Sequence, residues 1–68
     1  MNFLQTTLNN LGHTAVGKAC GLTRQAVKQW WLYGKLPDTE WLDPKHPRRT
    51  DYASIIAKMA KCKRSELL

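Results

Sequence analysis

The chain has 68 residues, and its seven Lys and four Arg outweigh three Asp and two Glu for a net charge of +6. That length admits one domain and excludes a second, because only about 60 % of the unfolded surface of so short a chain can be buried. The charge calls for a polyanionic partner, and since no apolar run approaches the roughly 20 residues of a membrane span, nucleic acid is favoured over a bilayer.

Asn2 is placed to cap a first helix over residues 3–11, in which Leu4, Leu8 and Leu11 recur at i, i+4 and i+7 before Gly12 ends it. Thr14 is the next capping candidate. It opens a helix of under two turns that closes at Gly21, with Val16 and Cys20 on one face. After Gly21-Leu22-Thr23 a third helix is predicted from Arg24 to Tyr33, capped by Thr23, with Val27, Trp30 and Trp31 at apolar spacing and Gly34 at its end.

From Gly34 to Arg49 the chain carries Pro37, Pro44 and Pro47 without a sustained period, which predicts a loop over 34–49 with one turn at Asp38–Leu42. A loop of that length leaves room for a short β element in the 36–50 segment. Thr50 is the capping candidate for a helix over 50–61, with Asp51 in its first turn and a core stripe of Tyr52, Ile55, Ile56, Met59 and Ala60. A terminal turn at 65–68 is expected to fold its leucines back on the core. The fold class is therefore all-α, with four to five helices in one domain.

Two short helices joined by a three-residue turn containing Gly have the layout of a helix-turn-helix over residues 14–33. Gly17, four before the turn glycine, lets the two backbones approach, and Val27, six after it, fills the crossing with Leu22 and Trp30. Thr23, Arg24, Gln25, Lys28 and Gln29 then lie opposite the packed face, and all five can form hydrogen bonds. Arg forks onto guanine and Gln onto adenine in the major groove, so Arg24 and Gln25 are the foremost base readers, with Lys28 and Gln29 one turn further in. Thr14 with its helix-terminal amides, Lys18 and Lys35 border the unit as phosphate contacts. No acid precedes Asp38, so Lys18, Arg24, Lys28 and Lys35 stand unopposed in that half of the sequence. Trp31, Tyr33 and Trp41 exceed the needs of one small core, and Trp31 and Trp41 fit either the core or a partner surface.

No secretory pattern precedes the first helix, and a cytoplasmic protein with Cys20 and Cys62 as free thiols is expected. No CxxC or HxxxH spacing points to a metal. His13 and Cys20 lack the third group that would orient a nucleophile and its base, so neither catalysis nor a cofactor is expected.

The run from Thr14 to Trp30, TAVGKACGLTRQAVKQW, followed by Gly34-Lys-Leu-Pro, resembles the Cro repressors of lambdoid phages and the related YdaS-like antitoxins. Thr39-Glu-Trp, Thr50-Asp-Tyr-Ala and Arg64-Ser-Glu-Leu-Leu resemble the C-terminal part of some of those proteins. The resemblance implies a lambda-repressor-like domain that binds a palindromic operator in double-stranded DNA, as a weak homodimer or one formed on DNA. It also implies base contacts at Thr23, Arg24, Gln25 and Lys28. An antitoxin that covers a toxin and represses its own operon is the alternative it carries. RNA is a weaker candidate, because no exposed aromatic sheet is predicted. Where many relatives have Ala, this chain has Gly17.

Overall fold

The computed structural model describes residues 1–68 and is all-helical: α1 (Phe3–Leu11), α2 (His13–Cys20), α3 (Arg24–Tyr33), a 3-10 turn (Asp38–Trp41), α4 (Tyr52–Ala60) and a terminal 3-10 turn (Arg64–Leu67). No residue of the 36–50 segment is in a strand, so the room left there for a β element is filled by the 3-10 turn and irregular chain. No helix is long and apolar enough to cross a membrane.

α1 begins as its sequence predicts. The Asn2 side chain accepts from the Gln5 amide at 2.8 Å while the Gln5 side chain accepts from the Asn2 amide at 2.9 Å, a reciprocal box that satisfies two otherwise unpaired donors. The same two side chains reach the far end of α3, where Asn2 Nδ2 donates to the Gly34 carbonyl and Gln5 Nε2 to that of Trp31. Gly34 has φ +71°, a conformation that favours glycine, and a Cβ there would stand 3.1 Å from Asn2 Nδ2 and press on the bond that Nδ2 makes.

Two expected caps are corrected. α2 starts two residues early, with Gly12 in place of Thr14 at the N-cap and His13 as its first helical residue. Thr14 is thus inside the first turn and does not cap. For α4 the cap is Asp51, whose carboxylate accepts from the Ser54 amide at 3.4 Å, and the helix runs over 52–60 in place of 50–61. Thr50 is drawn away to other partners, described below. The terminal turn likewise begins at Arg64, one residue before its expected start.

One cluster forms the core. Leu4 and Leu8 of α1, Val16 of α2, Val27 and Trp30 of α3, and Ala53, Ile56 and Ala57 of α4 are buried together with Leu36 and Leu67. On α4 the centre of the buried face is turned toward the two alanines, while Tyr52, Ile55, Met59 and Ala60 of the expected stripe are half-buried. Small side chains there bring the α4 backbone closer to its neighbours. Tyr52 instead stacks on Trp30, ring centroids 5.1 Å apart. Cys20 and Cys62 are free and half-buried, and burial, aided by Glu40 and Glu66 respectively, raises both thiols above their ordinary range.

The segment between α3 and α4 is fastened by Glu40, which is 2 % exposed. Its carboxylate accepts from the amides of Tyr52 at 3.1 Å and Ala53 at 2.8 Å and from the Thr50 hydroxyl. Thr50 spends its one hydroxyl hydrogen on Glu40, so Thr39 donates to Thr50 across 2.7 Å. The first amides of α4 are thus covered by an acid from twelve residues upstream, where the positive end of a helix favours negative charge.

Arg64 donates to Asp51 at 2.8 Å, and that bond leads the causes that hold the Asp51 carboxyl below its usual range. A depressed carboxyl stabilises the fold above the unfolded-state value, and the contribution is lost as pH falls through the folded-state value. Asp51→Ala is expected to cost about 1 kcal/mol at neutral pH through loss of the cap. In urea titrations the gap to the parent is expected to narrow below about pH 4 and to stay constant above pH 6.

Candidate nucleic-acid interface

α2 and α3 are joined by Gly21, Leu22 and Thr23. Gly21 closes α2 in the left-handed conformation (φ +71°), its amide donating back to the Gly17 and Lys18 carbonyls, and Leu22 N donates to Gly17 O at 2.8 Å. The chain therefore turns sharply at Gly21 and passes back close over Gly17. A Cβ built there would meet the Leu22 carbonyl oxygen at 3.0 Å and the Thr23 carbonyl group at 3.1 Å. Those atoms are backbone and cannot rotate away, so the absence of a side chain sets how closely α3 lies against α2. Gly17→Val is expected to cost about 2 kcal/mol net in chemical denaturation, because overpacking outweighs the gain in helix propensity of up to about 1 kcal/mol.

Thr23 caps α3, its Oγ1 accepting from the Ala26 amide at 3.3 Å. The hydroxyl hydrogen stays free to donate. Val27 and Trp30 point into the core at 0 % and 7 % exposure. Arg24, Gln25, Lys28 and Gln29 are all exposed, as is Thr23 at the head of the helix. At 3.6 residues per turn these four span about 140° of the helix circumference, opposite the buried pair. The structure thus brings together every residue expected to touch bases.

The three expected phosphate contacts, Thr14, Lys18 and Lys35, are also exposed. Thr14 lies in the first turn of α2 and Lys18 one turn further. Lys35 follows α3 and makes an exposed ion pair with Asp38 at 3.5 Å, weak enough that an incoming phosphate can replace it.

An open cleft of about 490 Å³ lies where α1, α2 and α3 meet, lined by Asn9, His13, Thr14, Arg24, Lys28 and Trp31. No acid lines it. His13 packs against Trp31 with ring centroids 6.1 Å apart. Sequence reasoning missed Asn9 and His13: Asn9 reads as an ordinary outward polar residue of α1, and His13 acquires a place only once α2 is seen to start before Thr14. No three His, Cys, Asp or Glu side chains come together in a metal-binding group.

Tyr33 is 72 %, Leu32 56 % and Trp41 51 % exposed, whereas Trp31 is half-buried against the core. The surplus of aromatic side chains is therefore divided, with Trp31 serving the core and Trp41 and Tyr33 facing outward.

Comparison with protein-family models, curated proteins and solved structures finds none that matches this chain. What the chain does is read from its own geometry.

Proposed function

We propose that the chain is a sequence-specific DNA-binding repressor of the Cro type, a lambda-repressor-like helix-turn-helix domain of phage or prophage origin. In this reading α2 braces against the DNA backbone and α3 is the recognition helix in the major groove. The protein occludes a promoter by occupying a palindromic operator and needs no cofactor. The observation that carries it is the division of α3 into a face buried by Val27 and Trp30 and an exposed face composed of Arg24, Gln25, Lys28 and Gln29.

Arg24 and Gln25, in the first turn, carry the forked donors and acceptors that read guanine and adenine edges. Thr23 donates its free hydroxyl hydrogen beside them. A backbone phosphate fits beside Thr14, in the first turn of α2, where no side chain caps the helix. Lys18 and Lys35 add the cationic border. Selection from random duplex DNA tests the proposal: an enriched inverted repeat is the expected result, and an unenriched pool overturns it.

Binding is expected to weaken steeply with salt, the logarithm of affinity falling with a slope of about −0.9 per phosphate neutralised. Lys18→Ala should lower that slope by about 1 per subunit and weaken all duplexes alike. A slope near zero in titrations between 50 and 200 mM salt would remove the electrostatic part of the proposal.

The adjacent exposed side chains Leu32 and Tyr33 favour a second reading, an antitoxin that covers a toxin and represses their shared operon. A stable hetero-complex recovered with the tagged chain separates this from a repressor acting alone.

A further inference from the structure

The cleft between α1, α2 and α3 holds more donors than the proposed contacts with DNA use. Of its six lining residues only Trp31 is apolar, and Asn9, His13, Thr14, Arg24 and Lys28 all carry groups that donate hydrogen bonds. Arg24 and Lys28, four apart on α3, have no acid to pair with, since the ion pairs of the chain are Lys35 with Asp38 and Arg64 with Asp51. Two buried nitrogens of the same lining, Trp31 Nε1 and His13 Nε2, lack any partner. We infer that this cleft binds the phosphoryl groups of a small soluble molecule and that its occupant excludes the operator, the second part resting on the repressor reading.

Hydrogen-bond chemistry selects the ligand. An indole N–H can only donate, and a donor buried without an acceptor is costly. His13 Nε2 donates in one tautomer of its ring. The missing partner is therefore an acceptor, and with two cations in the same lining it is an anionic one. The chain does not supply it, because no acid precedes Asp38 and none lines the cleft. A carboxylate brings two oxygens to this set of donors, whereas a phosphoryl group brings three strong acceptors on one centre.

Size separates a free ligand from the duplex. The volume of about 490 Å³ lies within the roughly 300–1,000 Å³ of small-molecule sites, so a diphosphate or a phosphorylated metabolite has room. A duplex backbone can lie across the mouth and touch the exposed Thr14, Arg24 and Lys28, but the two unpartnered nitrogens are buried. Only a compact ligand approaches them. Arg24 cannot read a base while it holds the oxygens of such a ligand, so each occupant weakens the other by the same factor and the small molecule releases the operator.

The test is an NMR titration of the ¹⁵N-labelled chain with pyrophosphate and with inorganic phosphate, against sodium chloride at matched ionic strength and pH, combined with operator binding followed by fluorescence anisotropy. Both phosphates are expected to shift the Trp31 indole N–H and the amides of Asn9 and Thr14 saturably, and chloride is not. Pyrophosphate at about ten times its Kd should weaken operator binding about tenfold relative to chloride. Trp31→Phe and His13→Phe keep a ring and remove the nitrogen, and neither residue is assigned a contact with DNA. Each variant, checked for an unchanged melting temperature, should bind pyrophosphate about tenfold or more weakly and the operator within about twofold of the parent. If Trp31→Phe loosens the fold, His13→Phe decides. Parental pyrophosphate affinity in the folded variants would overturn the inference, as would chloride shifts as large as those with phosphate. Shifts at these positions produced by the operator and not by pyrophosphate would also overturn it, assigning the cleft to the duplex backbone. A saturated cleft with unchanged operator affinity would overturn the exclusion. Failure to enrich any duplex sequence would instead overturn the repressor reading, and the NMR titration would still decide the cleft.

Discussion

Glu40→Ala is expected to destabilise the domain by about 3 kcal/mol or more, the largest stability loss from any single truncation outside the apolar core. The carboxylate receives the amides of Tyr52 and Ala53 and the Thr50 hydroxyl, and the Ala53 amide is buried where water does not reach it. Each buried donor left without an acceptor costs about 1–3 kcal/mol. A chain of 68 residues has in total only about 3–10 kcal/mol to lose, so the variant should be substantially unfolded at 37 °C. Thermal melting followed by circular dichroism is expected to shift down by about 15 °C or more. Glu40→Gln retains the shape and one acceptor oxygen but presents an amide NH₂ to groups that themselves donate, and about half the loss is expected. A Glu40→Ala protein that melts within about 3 °C of the parent would show that water replaces the acid without penalty.

Truncating Arg24 or Gln25 is expected to leave folding intact and to remove about 1–3 kcal/mol of base discrimination per half-site. Both side chains are exposed and neither contributes to the Val16, Val27 and Trp30 cluster. The loss has to depend on sequence. A phosphate contact weakens all duplexes equally, whereas a base reader loses its advantage only at the base pair it touches, and changing that pair should then cost the variant little. A double-mutant cycle between protein and operator measures the coupling directly. Val27→Asp is the opposing control: it places an unpaired charge at a site with 0 % exposure and should unfold the domain without altering its preference. If Arg24→Ala and Gln25→Ala both keep the parental ranking of operator variants, α3 is not the reading element.

Apart from the start of α2, where Gly12 and not Thr14 is the cap, the first half of the fold was legible because its signals are local. Asn2, Gly21, Thr23 and Gly34 are caps and turn residues whose roles are set by neighbours within a few positions. The outward and inward faces of α3 followed from period alone. The segment after Gly34 was less legible, because there burial depends on distant partners. Leu36 is 0 % exposed in a stretch that reads as loop, and Glu40 is buried although it sits among Asp38, Asp43 and three prolines. Only the arrival of the α4 amides, twelve and thirteen residues later, gives Glu40 a reason to leave water. The same long-range demand displaced the expected cap. Thr50 had the right residue type for it, but its hydroxyl was claimed by Glu40 and Thr39, and Asp51 took the position. The division of Trp31 from Trp41 was invisible for a similar cause, since nothing local distinguishes an indole that meets the core from one that faces outward.

The approach at Gly17 separates two properties that most small folds keep entangled. The pose of α3 is set by main-chain atoms of Leu22 and Thr23 against an absent side chain, together with Val27 and Trp30 on the inner face. None of these constraints passes through Arg24, Gln25, Lys28 or Gln29. The four outer positions can consequently be substituted without refolding the frame that presents them, and under the proposed function such substitutions would change the target and leave the scaffold as it is.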